Sequence, residues 1–399
     1  MAPGTARDLG GLRGVTVRSL LRAEFTFLLR ATTWPHDAAA IAAIRAAAKD
    51  VTEPDLLMAL SRRHHVTGLV ARAVGHCDRF AGSRLRRDLQ AEAMALAEEQ
   101  FRQLMQTHHA VAALRAEGIS VAVLKGVPAA LAVYGEVGVR RSVDIDLLVG
   151  RDHVDRARGV LEQIGYARSA PPPGATAHEL HGSRRYGKDW GFDHFHSDTG
   201  IELHWRLFQN PRLLGCVDAG DAQARTVAPG LSLPVLPPHV TALYLVLHGA
   251  EHAWSRLKWL ADLAALLRQD THMPGRIAAA AAAQGLAQPA MAALLLSREL
   301  YGTPMPEETA MPGWRARALH AVARASLLGA QDGAELEDCA TATTRKNLSH
   351  YLFSRDPRFW WHELAYDLFH DADGRGLRHV AQRTLNVLRL PAAAKVSPR

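Results

Sequence analysis

Two aspartates separated by one residue, Asp144 and Asp146, are the side chains of this sequence with the clearest capacity for chemistry. They lie in residues 140–150, Arg-Arg-Ser-Val-Asp-Ile-Asp-Leu-Leu-Val-Gly, whose apolar half is typical of a buried β-strand. Side chains at i and i+2 of an extended segment point to the same side, so the two carboxylates can share one or two divalent cations. Such a pair suits the handling of a triphosphate.

A glycine turn upstream supports this interpretation. The apolar run 121–124 predicts a buried strand, which leads into Lys125-Gly126 and a helix-like stretch, 127–134. The first turn of a helix presents unpaired N–H groups, and a glycine lets a ligand approach the backbone closely. We therefore expect Lys125 and Gly126 to lie against a phosphate.

A third carboxylate, Glu202, lies between apolar neighbours in Ile-Glu-Leu-His-Trp, residues 201–205, which predicts another short strand. Two metal ions held by three carboxylates are the usual arrangement for in-line phosphoryl or nucleotidyl transfer. The sequence thus predicts Mg²⁺, or Mn²⁺, bound by Asp144, Asp146 and Glu202.

At these residues the chain resembles the nucleotidyltransferase superfamily that includes DNA polymerase β, and within it a bacterial family of uncharacterised nucleotidyltransferases. The superfamily pattern is a glycine-containing turn, then Asp-x-Asp, then an acidic residue between apolar ones. Here these are Gly126, then Asp144 and Asp146, then Glu202. The closer family resemblance covers roughly a quarter of the chain and rests on four segments: 124–126, 134–135, 140–149 and 202–205.

The resemblance implies an enzyme that transfers a nucleoside monophosphate from an NTP, ATP among them, to a hydroxyl group and releases pyrophosphate. The acceptor stays open between a small molecule, a peptide and a protein side chain. Glu202 would complete the metal site that activates the acceptor and would take its proton. One departure concerns the turn, where Lys125-Gly126-Val127 replaces the usual Gly-Ser or Gly-Gly. Because the hydroxyl is missing, we expect Lys125 to make that phosphate contact.

Two arginines directly before the aspartates, Arg140 and Arg141, are candidates for the β- and γ-phosphates. A guanidinium group can bind a phosphate through two parallel hydrogen bonds. The alternative is that both arginines pair with surface carboxylates. Arg140 is our first choice among the cations for the triphosphate.

Other candidate nucleotide contacts come from residues further along the chain. His204 could orient a carboxylate or bind phosphate, or it could simply support Trp205. The family resemblance extends weakly to 248–263, an amphipathic helical pair that would form the far wall of the cleft. From there Arg256 and Lys258 could reach a phosphate.

Two other classes of protein remain possible. Glycosyltransferases also use Asp-x-Asp to hold a metal and a nucleotide-sugar, but they place it after a long α/β segment, whereas the preceding hundred residues here read as helical. A catalytically silent regulator on the same fold is the second alternative, and the presence of all three carboxylates argues against it.

Composition sets wider limits. The 399 residues are 48% apolar and carry a net charge of +7, which favours anionic ligands. The basic residues are dispersed, so nucleic acid is not an expected partner. Cys77, Cys216 and Cys339 have no metal or disulfide spacing. No apolar run suits a signal peptide or a membrane span. We expect a soluble, cytoplasmic protein.

The chain divides into three predicted domains. Residues 1–117 and 216–399 have the apolar period of helices, while residues 118–215 alternate between strand and helix and end in a β-hairpin. The predicted fold is therefore α+β, with a polymerase β-like nucleotidyltransferase core, a small mixed sheet with flanking helices, embedded between two helical domains.

Overall fold

The structure is a computed structural model that describes residues 21–197, 199–306, 312–329, 331 and 340–369. Within these residues, five α-helices precede the first strand, and they are α1 to α5: Ala23–Ala31, Ala38–Ala48, Pro54–Arg63, Thr67–Gly75 and Arg84–Ala116. Local sequence fixes two of their starts. Asp37 accepts a hydrogen bond from the Ala40 amide at 2.8 Å, and Ser83 accepts one from the Arg86 amide at 3.2 Å. The predicted helical character of residues 1–117 is confirmed where this part of the chain is described.

A sheet of seven strands lies between the helical segments. Its strands are β1 to β7: Val121–Val123, Ile145–Val149, Tyr166–Ala170, Asp189–His194, Gly200–His204, Gln223–Ala228 and Leu231–Val235. Their spatial order is β3-β4-β5-β2-β1-β7-β6. The β2–β5 and β1–β7 pairs are parallel and the other pairs are antiparallel. The predicted α+β fold with a mixed sheet and flanking helices is confirmed.

Three α-helices lie between strands that precede β5 in the chain. They are α6 (Val127–Tyr134), α7 (Val154–Gln163) and α8 (Ala177–Tyr186). The bounds of α6 agree with the predicted 127–134. The predicted helix 151–164 begins with a short 3₁₀ turn, Arg151–His153, before α7. The predicted hairpin is confirmed, because β4 and β5 are antiparallel neighbours.

The segment 216–235 differs from the helical character predicted for everything after residue 215. It forms the hairpin of β6 and β7, and β7 extends the sheet beside β1. The alternating pattern of a strand is missing from β6 because most of its residues are exposed at the sheet edge. The division into three domains remains a prediction.

Strand β2 separates two hydrophobic layers. Ile145, Leu147 and Val149 pack into the core that contains α5 and α7. Leu148 packs on the opposite side, into the core that contains α6, α9 and α10. Because side chains alternate along a strand, Asp146 points to the same side as Leu148. The acidic side chain therefore faces the later helices.

Among the described residues after the sheet there are seven α-helices, α9 to α15: Pro238–Glu251, Leu257–Gln269, Met273–Ala283, Ala287–Tyr301, Trp314–Leu328, Ala340–His350 and Pro357–Phe369. Buried residues of α1 to α4 and of α9 to α13 belong to one continuous hydrophobic cluster. The N-terminal and C-terminal helices thus share a core on one face of the sheet. Among the residues described, no helix combines the length and apolar character needed to cross a lipid bilayer.

Candidate active site

The register of two parallel strands brings the acidic residues together. Asp146 on β2 lies opposite Glu202 on β5, and Leu148 lies opposite His204. Ile201 and Leu203 pack into the α5 and α7 core, so Glu202 and His204 point to the other face, as Asp146 does. Two short stretches that are far apart in sequence therefore present three polar side chains on one face of the sheet.

These three side chains are in direct contact. The Nε2 atom of His204 lies 3.2 Å from Oδ1 of Asp146 and 3.3 Å from Oε2 of Glu202. Lys125 adds a cation, with its Nζ 3.0 Å from the same Oδ1 of Asp146. Asp146 and His204 are fully buried, whereas Glu202 and Lys125 are partly exposed. The cluster is thus open to solvent on one side.

Charge compensation keeps the buried acids ionised. Burial alone would raise the pKa of Asp146, but Lys125 and His204 hold it below its ordinary value. The hydrogen bond from His204 lowers the pKa of Glu202 as well. Burial opposes a charge on His204, yet its bonds to both carboxylates raise its pKa above the ordinary value. The protonated, cationic form of His204 is therefore favoured beside the two carboxylates.

Asp144 lies immediately before β2, beside the start of β5. Its Oδ1 is 3.3 Å from the position that a Cβ on Gly200 would occupy. Burial and the negative charges of Glu202 and Asp146 raise the pKa of Asp144 to about 6. Asp144 therefore belongs to the same acidic neighbourhood, although its carboxylate stands slightly apart from the three side chains in contact.

The side chains fit a divalent cation. One ligand atom each from Asp146, Glu202 and His204 lies within 4.8 Å of the others. The Oδ2 atom of Asp146 is buried and has no hydrogen-bond partner among the described residues, which is costly unless a ligand satisfies it. Carboxylate oxygens are ligands for Mg²⁺ and Mn²⁺, and an imidazole nitrogen also suits transition metals. The sequence prediction named Asp144 in place of His204.

The glycine turn lies beside this cluster. Gly126 has a φ of 86°, a conformation that favours glycine, and it begins α6. A Cβ at this position would lie 3.1 Å from Oγ of Ser142. Val127 leaves the position after the turn glycine without a hydroxyl, as the sequence indicates, but a hydroxyl group does lie near the turn. Ser142 supplies one from a different segment, a placement that only the folded chain reveals.

Arg140 has a different position from the one expected of a triphosphate ligand. It is buried, its Nε lies 3.0 Å from Oδ2 of Asp262, and it donates to the Gly126 carbonyl at 3.2 Å. Tyr134 donates a hydrogen bond of 2.8 Å to the other oxygen of Asp262. Arg140 thus holds the glycine turn against α10. The residues around Arg140 in the sequence do not indicate this contact, because its partner Asp262 lies on a distant helix.

Arg141 follows the alternative of a surface ion pair. Its side chain is exposed, and Nη2 lies 3.3 Å from Oε1 of Glu99 on α5. Arg256 donates to the backbone carbonyl of Arg63. The assignment of both arginines to phosphate stays a prediction.

Lys258 has the surroundings of a functional lysine. Its Nζ lies 3.2 Å from Nδ1 of His65 and donates to the Arg141 carbonyl at 3.2 Å. Burial, together with the positive charges of Arg140 and Lys125, lowers its pKa to about 7. An anion arriving beside it would relieve this cost, which agrees with the predicted phosphate contact.

Sequence reasoning missed the polar pair at the start of β4. Lys188 forms an ion pair with Asp189, and its Nζ lies 3.8 Å from Oε2 of Glu202. Asp189 pairs with His204 in the β4–β5 register. Extending the first arm of the predicted hairpin back to Lys188 and Asp189 would have placed this pair beside Glu202 and His204.

Comparisons with known proteins agree with the geometry. The model of a family described as "Uncharacterised nucleotidyltransferase" matches residues 50–302, which is more than half of the chain and includes every residue of the cluster. Neither the search of curated proteins nor the search of solved structures found a match. On the strength of the family match, the chain belongs to this nucleotidyltransferase family.

Proposed function

We propose that this nucleotidyltransferase moves a nucleoside monophosphate from an NTP to a hydroxyl group of an acceptor and releases pyrophosphate. The observation that carries the proposal is the buried Asp146, one of whose oxygens has no hydrogen-bond partner in the described part of the chain, next to Glu202 and the Gly126 turn. In this reaction the acceptor oxygen forms a bond to the α-phosphorus, and the bond from that phosphorus to the pyrophosphate oxygen breaks.

We assign Mg²⁺ or Mn²⁺ to Asp146 and Glu202, which with His204 bring ligand atoms within 4.8 Å of one another, and to Asp144 beside them. His204 would also orient the two carboxylates that it contacts. When bound, such a cation neutralises phosphate charge and orients the reacting oxygens. Asp144, whose pKa is raised by burial and by Glu202 and Asp146, would be ionised by the nearby cation. The metal requirement is thus a direct expectation of the acidic cluster.

Glu202 is the proposed acceptor of the hydroxyl proton. Its carboxylate is partly exposed, so a substrate can reach it, and the hydrogen bond from His204 keeps it ionised. Lys188 lies 3.8 Å away and helps to fix its orientation. His204 acts as a positioning residue, because it binds both carboxylates and is itself buried.

The triphosphate is assigned to the side of the cluster that contains Lys125 and the Gly126 turn. Backbone amides at the start of α6, with Lys125 and Lys258, supply donors and positive charge there. Arg140 becomes a positioning residue that holds the Gly126 turn. Arg141 and Arg256 stay candidates for weaker contacts with the outer phosphates.

The alternative of a silent regulator has one observation in its favour. Lys125 and His204 already compensate the charges of Asp146 and Glu202 without a metal. A protein that only binds an NTP could retain this arrangement. The distinction is whether turnover accompanies binding.

The test uses each of the four NTPs labelled at the α-phosphate, with Mg²⁺ or Mn²⁺ and a mixture of acceptors. We expect label transfer and pyrophosphate release that fall about a thousandfold in Asp146→Asn, equivalent to about 4 kcal/mol of lost transition-state stabilisation. Asp155→Asn is the matched control, because Asp155 is an exposed residue of α7. NTP binding without turnover would support the regulator instead, whereas turnover that is equal in Asp146→Asn would remove Asp146 from the catalytic site.

The setting is inferred from the cysteines. Cys77 and Cys216 are both free thiols, and Cys339 lies outside the described residues. Free thiols agree with a reducing, cytoplasmic location, which we propose on this basis.

A further inference from the structure

A polar cavity of about 310 Å³ lies beside Lys188. Lys188 also connects the cavity to Glu202, because its Nζ lies 3.8 Å from Oε2 of Glu202. In the strand order, Lys188 at β4 and Lys125 after β1 lie on opposite sides of the cluster. The cavity is therefore on the side away from the glycine turn, where an acceptor would have to approach.

Helices outside the matched family region build much of the cavity. Lys346 and His350 come from α14, and Glu363 comes from α15, whereas the family match ends at residue 302. Asn210, which follows β5, fixes α15 by donating 2.7 Å and 3.0 Å hydrogen bonds to Glu363 Oε1 and to the Phe359 carbonyl. The shape of the cavity thus depends on the C-terminal part of this particular chain.

Most charged groups of the cavity already have partners. Lys188 pairs with Asp189 and lies near Glu202. His350 donates a hydrogen bond from Nε2 to the Glu251 backbone carbonyl at 2.9 Å, and its Nδ1 lies 3.5 Å from Oε2 of Glu363. These contacts leave two lining groups to consider, Glu251 and Lys346.

Glu251 is the acidic group best placed for a ligand. It ends α9, and within the described part of the chain no cation lies within ion-pair distance of its carboxylate. Burial raises its pKa to about 7, and the nearby charges of His350 and Lys188 only partly offset that effect. A ligand cation would compensate this carboxylate, in the way that partners compensate other buried charges.

We propose that this cavity is the acceptor site and takes a small hydroxyl-bearing molecule with a cationic group, which binds the carboxylate of Glu251. The proposal rests on the proposed nucleotidyl transfer. The cavity volume is at the small end of ligand pockets, about 300–1,000 Å³, which suits a small molecule better than a folded protein. A hydroxyl of the ligand would face Glu202 across Lys188, and its cationic group would lie toward α9.

The test measures binding of three six-carbon polyols of equal size, namely glucamine, which is a cation, sorbitol, which is neutral, and gluconate, which is an anion. Ligand-observed NMR or calorimetry on the whole chain gives the affinities. We expect glucamine to bind at least about tenfold more tightly than the other two, a difference of about 1.4 kcal/mol. Glu251→Gln should remove this preference, while the matched exposed variant Glu98→Gln should retain it.

Lys346→Met separates the proposal from its opposite. If the cavity takes a cation, Lys346→Met leaves glucamine binding unchanged or stronger. Tightest binding of gluconate, with loss in Lys346→Met, would overturn the proposal, as would glucamine binding that does not depend on Glu251 or that is absent at millimolar concentration.

NTP binding measured on the same samples separates the two claims. Failure of the acceptor proposal alone leaves NTP binding sensitive to Asp146→Asn. Failure of the proposed function itself would appear as NTP binding and turnover that are absent or indifferent to Asp146, whatever the polyols do.

Discussion

Asp146 and Asp262 are two buried aspartates on the same side of the sheet, and they differ in how completely their carboxylate oxygens are paired. Both oxygens of Asp262 have a partner, since Oδ1 accepts from Tyr134 at 2.8 Å and Oδ2 pairs with Arg140 at 3.0 Å. Asp146 has Lys125 and His204 on Oδ1, while its Oδ2 is buried without a hydrogen bond among the described residues.

The surrounding charge differs in the same direction. Asp146 has two acidic neighbours, Asp144 and Glu202, whose charges disfavour one another. Asp262 is matched by one guanidinium and one hydroxyl. The comparison indicates that a buried acid with complete partners supports the fold, whereas one that combines an open oxygen with further acids is prepared for a cation.

The largest effect on stability is expected at Arg140. Arg140→Met leaves Asp262 as an uncompensated buried charge and releases the Gly126 carbonyl, so the free energy of unfolding should fall by about 3–5 kcal/mol. Urea unfolding measures this. Arg141→Met is the matched control, because its exposed ion pair with Glu99 is worth less than about 1 kcal/mol. Equal losses in the two variants would contradict the structural role of Arg140.

Lys125 should matter for ligand binding more than for folding. Lys125→Met removes a cation that lies beside Asp146 and the α6 start. A charge-assisted phosphate contact is worth about 1.5–3 kcal/mol, so NTP affinity should fall by at least about tenfold, more at low salt than at high salt. Lys49→Met, at an exposed helix end, is the control. Unchanged NTP affinity in Lys125→Met would remove Lys125 from the phosphate site.

A smaller, pH-dependent effect is expected at Lys258. Its pKa is about 7 in the free protein because of burial and the charges of Arg140 and Lys125. A bound phosphate favours the protonated form, so binding takes up a proton and NTP affinity should fall as the pH rises from about 7 to about 9. The decrease should stay below about tenfold and should be smaller in Lys258→Met. An identical pH profile in parent and variant would show that Lys258 does not contact the NTP.

The smallest effect is the stability of Asp146→Asn. The substitution removes a desolvated charge, and Glu202 remains near Lys125 and His204 to compensate them. We expect the free energy of unfolding to change by no more than about 1 kcal/mol. A loss as large as that in Arg140→Met would mean that both aspartates are structural and that the distinction drawn between them is wrong.

Local patterns predicted much of this architecture. The glycine before α6, the apolar run of β2 and the alternation in β4 and β5 each depend on neighbours within a few residues, and each was predicted with nearly the observed bounds. The predicted grouping of Glu202 with the aspartates also agrees with the strand register, which places Glu202 opposite Asp146.

Other features depend on distant partners and could not be predicted in this way. The role of Arg140 is set by Asp262, and the hydroxyl at the turn comes from Ser142. Strand β6 lacks an alternating pattern because it is an exposed edge. The C-terminal wall of the cavity has no motif, since its residues come from two helices that reach the site through tertiary contacts such as those of Asn210 with α15.

Binding of Mn²⁺, followed by electron paramagnetic resonance without substrate and then with an NTP, tests the central claim most directly. We expect a resonance signal from bound Mn²⁺ that strengthens when NTP is added, is lost in Asp146→Asn and is retained in Asp155→Asn. Bound Mn²⁺ that persists unchanged in Asp146→Asn would contradict the claim that this buried carboxylate is the centre of a metal-dependent nucleotidyltransferase site.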